Sequence, residues 1–259
     1  MKKAAISAIW VLICLALVIS AIAMTEVTYV QRVEDEDGEV TYYDITDDGI
    51  VEFDQEKADF MPYNKYLIDT WDGAELLDEA GEELALEKEK ITEAGGEVPE
   101  YYADLELGNK VAMISCWVGL GLGFLAIVLI IWLSIKLIIR LIYALCKSSN
   151  TKYLYKNYKT FRKFWLIPVI PILVLGSYWV PAIGANYDLY CAAKAATKML
   201  GQEYTTSFMD YCKETCLIPA YSHGFDFLYV VAAIFAGYIV VSILLNIIVK
   251  NKAPVEIKD

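Results

Sequence analysis

Four apolar runs, Ala4–Ala23, Val111–Leu133, Trp165–Gly184 and Leu228–Val249, contain no Asp, Glu, Lys, Arg or His. A helix crosses about 30 Å of hydrocarbon with roughly 20 predominantly apolar residues, so each run is long enough to span a bilayer. At 57% hydrophobic residues, the chain is more apolar than an ordinary soluble domain. These runs predict an all-α membrane fold with four transmembrane helices. Trp132 and Trp165 would mark one interface, Trp179 and Tyr187 the other.

Charge is sorted around the runs. Thr25–Lys110 holds 27 of the 34 acidic residues and six basic ones, a net of −21, whereas Lys136–Lys163 holds eight basic residues and no acid. Lys and Arg near span ends are retained on the cytoplasmic side. Lys2 and Lys3, the Lys136–Lys163 loop and the tail with Lys250, Lys252 and Lys258 are therefore expected inside. The acidic segment and the loop Ala185–Gly224 are expected outside. The first run reads either as a retained anchor or as a signal peptide ending in Ala21-Ile22-Ala23. Met1-Lys2-Lys3 before a long apolar run, with no glycosylation sequon at any of the seven Asn, points to a bacterial cell membrane.

The segment between the first two spans reads as a small acidic extracytoplasmic α+β domain. Asp37-Gly38 and Asp48-Gly49 are hairpin-turn signals, because Gly accepts the positive φ of primed turns. They separate Val27–Val33, Val40–Ile45 and Ile50–Phe53, read as a three-stranded meander. Asp72-Gly73-Ala74-Glu75 resembles a helix start, Leu77, Ala80, Leu84 and Ile91 keep one face apolar, and Gly95-Gly96 ends it. Val98–Asn109 reads as a linker. Asp44, Asp48 and Glu52 fall at EF-hand spacing around Gly49, which makes them candidate Ca²⁺ ligands, but Gln55 stands where the closing bidentate carboxylate belongs. An Asp-Gly turn explains the same residues. So dense an acidic surface suits a protein partner or simple solubility.

In the outer loop, Asn186 is expected to cap a helix through Leu200, with Gly201 as the stop and a second helix from Glu203 to Cys216. A hairpin turning at Gly201 would bring Cys191 and Cys212 together as a disulfide. On the inner side, Lys152, Lys156, Lys159, Arg162 and Lys163 alternate with aromatic residues, as in helices that lie on an anionic leaflet. No nucleic-acid-binding motif surrounds this patch, so lipid and not nucleic acid is the expected contact. Gly119 and Gly123 form a small-xxx-small surface for helix–helix association.

The chain has no phosphate-binding glycine loop, no H-E-x-x-H and no nucleophile elbow, and the four runs offer no ionisable group for a proton relay. His223 is the only histidine. The expectation is a non-enzymatic accessory or scaffold subunit without cofactor, presenting its acidic outer domain to a partner. The layout, with a large first outer loop and a smaller second one, resembles the four-span permease of the cell-division ABC complex. That resemblance implies a permease-like subunit of a transport complex, contacting a cytoplasmic partner through the basic loop. It is one of topology and carries no residue assignment.

Overall fold

A computed structural model describes residues 15–16, 18–20, 22–23, 26–35, 37–46, 49–145 and 169–223. The chain divides into two compact units, one of Met1–Met24, Leu125–Leu173 and Phe225–Asp259, the other of Thr25–Phe124 and Val174–Gly224. The second unit contains a five-stranded antiparallel sheet: β1 (Glu26–Glu34), β2 (Val40–Thr46), β3 (Gly49–Glu52), β4 (Met61–Pro62) and β5 (Thr215–Tyr221). The expected meander is present as β1–β2–β3. Its first turn is held by Asp35, whose side chain accepts from the Asp37 and Glu39 amides at 3.0 and 2.8 Å, while Gly38 takes φ +79°.

β1 is the central strand. Along one side β5 pairs with Val27–Val33; along the other, β2 takes Val30–Glu34 and β4 takes Glu26 and Val27. Val27, Thr28 and Val30 are buried. β5 was not foreseen. It comes from the Cys-containing loop, 181 residues beyond the end of β1, so the acidic segment does not close its own sheet. The segment expected to continue as a helix from Glu203 forms only the short α4 (Phe208–Glu214) before turning into β5. Ser207 caps α4 by accepting from the Asp210 amide at 3.2 Å.

Three long helices accompany the sheet: α1 (Tyr63–Glu93), α2 (Tyr101–Leu145) and α3 (Val169–Met199). α1 starts nine residues before the expected Asp72, because Tyr66, Leu67, Thr70 and Ala74 form one buried stripe that continues through Gly73. Its C-terminus is a Schellman turn, with Gly95 at φ +76° and the Gly96 amide on the Ile91 carbonyl at 3.0 Å. α1 then folds back along α2, with Leu67 against Gly123, Trp71 edge-on to Trp117 at 5.1 Å and Lys88 paired with Glu106 at 2.6 Å. Val98–Asn109 is therefore no linker. Its residues from Tyr101 are the first turns of α2, where the Asn109 amide donates to the Leu77 carbonyl at 2.8 Å. α3 likewise passes through Asn186 without a break and ends at Met199, followed by Gly201 at φ +72°.

The four-span all-α reading is overturned. Among the described residues two helices are long and apolar enough to cross a membrane, Tyr101–Lys136 and Val169–Met199, and a five-stranded antiparallel sheet stands beside them. The physical reason is that apolar sequence has two uses. Ala112, Leu120, Val174, Tyr178 and Ala182, all from the runs read as spans, are buried side chains of the second unit. The layout behind the permease resemblance goes with the four-span reading. The first run is described only in part and the fourth, Leu228–Val249, lies outside the described residues.

Candidate functional site

α1 carries ten acidic residues, Asp69, Asp72, Glu75, Asp78, Glu79, Glu82, Glu83, Glu87, Glu89 and Glu93, and all ten are exposed. Its buried and half-buried positions, 63, 66, 67, 70, 73, 74, 77, 80, 81, 84, 88 and 91, recur at helical spacing on one face. The acids occupy the opposite half of the cylinder. Ile68, Leu76 and Leu86, exposed at 59%, 65% and 53%, lie among them. The outward face is thus acidic with apolar insertions.

A tyrosine hub holds this helix in place. Pro181 lies inside α3, and proline has no N–H to offer the carbonyl four residues earlier. The Ser177 carbonyl so released accepts from the Tyr66 hydroxyl of α1 at 2.6 Å. The next carbonyl, of Tyr178, accepts from Tyr29 of β1 at 2.9 Å, and Tyr29 also lies 3.0 Å from the Tyr66 oxygen. Tyr63 meets the Ser177 hydroxyl at 3.2 Å, and the Tyr66 and Tyr178 rings pack at 4.6 Å. Sheet, α1 and α3 therefore converge on one turn of α3. Burial pushes the Tyr66 phenol up to about 12 and raises Tyr29 as well, so both remain neutral hydrogen-bonding groups at physiological pH.

A second anchor joins α2 to α3. Asp104, 7% exposed, receives Lys194 on one carboxylate oxygen at 2.8 Å and Lys198 on the other at 2.7 Å. The two lysines are four residues apart, one helical turn, which places them on the same face of α3. Nothing in the sequence pointed to Asp104 among so many acids.

The expected site residues fare differently. Asp44 and Glu52 lie on adjacent strands, but Glu52 pairs with Tyr43, so alternation puts Asp44 on the opposite face of the ribbon. Asp48 lies outside the described residues, among which no cluster of His, Cys, Asp and Glu could hold a metal ion. The Cys191–Cys212 disulfide is corrected: both are free thiols, as are Cys116 and Cys216. The helical hairpin that would align them does not form, and Cys191 is buried beside Gly108. Burial pushes the Cys212 and Cys216 thiols up, which keeps them protonated. Gly119 and Gly123 do serve close helix packing, but within this chain: a Cβ at Gly119 would stand 2.5 Å from the Pro181 ring, and one at Gly123 2.7 Å from Leu67. Lys152, Lys156, Lys159, Arg162 and Lys163 lie outside the described residues.

Comparison with protein-family models, curated proteins and solved structures finds no match to this chain.

Proposed function

We propose that this chain is a non-enzymatic membrane protein, an accessory or scaffold subunit whose α1 displays an acidic face to a basic protein partner outside the cytoplasm. The exposure of all ten α1 acids, opposite the packed face, carries this reading. The charge sorting supports the orientation, with the Lys136–Lys163 loop inside and the Thr25–Lys110 segment outside. Membrane residence is supported by α2, whose most apolar stretch is only 28% buried, leaving apolar surface that lipid would cover. Rigid attachment of α1 through Tyr66 and Lys88 suits a docking platform, since a preordered face loses little entropy on binding.

The test is photo-cross-linking in intact cells, with a photoreactive residue in place of Leu76 or Leu86. The expected adduct is a basic protein reached from outside, and it should fade when Glu79, Glu82 and Glu83 are changed to Gln. An adduct unaffected by these changes, or reaction with lipid alone, would sink the proposal.

A further inference from the structure

The C-terminal end of α3 and the first turn of α2 border a cleft of about 680 Å³, within the roughly 300–1,000 Å³ range of small-ligand sites. Part of its lining is cationic. Lys194 and Lys198 are each held by one oxygen of Asp104, which fixes both ammonium groups while its single negative charge neutralises only one. An ammonium has three donors; Lys194 gives one to Asp104 and Lys198 is ion-paired with the other carboxylate oxygen, so each lysine keeps at least two. The side chains remain 34% and 32% exposed, open to the cleft. The lining also includes the exposed carboxylates of Glu100 and Glu203. Tyr101 and Tyr204 supply apolar sides, and both rings are braced, Tyr101 on Tyr102 at 4.8 Å and Tyr204 edge-on to Tyr190 at 5.7 Å.

We propose that this cleft binds a small zwitterion of the amino-acid or short-peptide class. Its carboxylate sits on Lys194 and Lys198, its ammonium on Glu100 and Glu203, and its side chain against the tyrosine rings. A purely anionic ligand satisfies the lysines but meets two unmatched carboxylates, and a purely cationic one meets the reverse, so the mixed lining selects a molecule carrying both charges. The site is separate from the acidic face of α1 and does not depend on it.

Binding is measured by calorimetry on the full chain in nanodiscs, with free amino acids and apolar dipeptides as probes, each dipeptide also N-acetylated or C-amidated, and with glucuronate and inorganic phosphate for comparison. Unblocked zwitterions should bind at millimolar concentration or below, and each block should weaken binding at least tenfold. Glu203→Gln, at an exposed position, should narrow the distinction between free and acetylated amine, because Glu100 alone is left to hold the ammonium; Lys198→Gln should likewise narrow that between free acid and amide. No binding by any unblocked probe overturns the proposal. So does equal binding of blocked forms, or binding of glucuronate or phosphate as tight as that of the zwitterions.

Discussion

At the Ser177–Tyr178 turn, two tyrosines of equal burial have opposite roles. Tyr66 donates to the carbonyl that Pro181 leaves open, whereas the Tyr178 hydroxyl is buried without a hydrogen-bond partner among the described residues. A buried carbonyl left unpaired costs about 1–3 kcal/mol, and removal of an unsatisfied hydroxyl recovers part of a similar penalty. Tyr66→Phe should therefore lower stability by about 1–3 kcal/mol, and Tyr178→Phe should be neutral or stabilising. Denaturant unfolding of the full chain in detergent compares the two directly. Equal losses from both would mean that ring packing, and not the hydrogen bond to Ser177, secures the hub.

Among the elements, α3 makes the joints on which the second unit depends. Gly119 of α2 leaves a slot for the Pro181 ring, and a Cβ there would also come within 3.0 Å of the Ser177 carbonyl. Gly121, two residues on, has nothing within 4 Å of an added Cβ. Overpacking typically costs about 1–3 kcal/mol, so Gly119→Ala should be destabilising by that amount. Gly121→Ala should be tolerated or mildly stabilising, because Gly is the poorer helix former. Thermal unfolding of the two variants checks the contrast. Further along α3, Asn186 holds β5 by both of its amide atoms, donating to the Leu217 carbonyl at 2.8 Å and accepting from the Leu217 amide at 2.6 Å. Asn186→Ala should speed amide exchange across Thr215–Tyr221 more than across β2, while Asn186→Asp, which keeps only the acceptor, should fall between.

Across the whole molecule the tyrosine hub sets an alkaline limit. Tyr66 and Tyr221 are pushed by burial up to about 12, and an unfolded tyrosine titrates near 10. A raised pKa means that the folded state holds the proton more tightly. The associated stability is fully present below about pH 10 and is lost as the pH rises from there through the folded value. Melting temperature should therefore hold to about pH 10 and then fall, and Tyr66→Phe should make that fall shallower while starting from a lower plateau. An unchanged slope in the variant would assign the alkaline limit to another group, such as Lys194, whose ammonium the Asp104 carboxylate holds above its usual range.

Local chemistry determined what the sequence could show by itself: the Asp37-Gly38 turn and the strands β1–β3, the Gly95 and Gly201 helix stops, the sorting of charge, and apolar runs long enough to span a bilayer. Each depends on residues near one another along the chain, through backbone conformations that glycine permits or through period and composition. What the tertiary structure decided depends on partners far apart in sequence. β5 is a strand because β1 offers it an edge, and residues 101–109 are helical because Asp104 and Asn109 find Lys194, Lys198 and the Leu77 carbonyl. The same distance explains the cysteines, whose spacing around Gly201 suggested a bond in a hairpin that β5 displaces. Above all, an apolar run does not state whether lipid or protein will cover it. Periodicity records that a face must leave water, and only the packing of α1 and the sheet against α2 and α3 decides which residues do so inside the molecule.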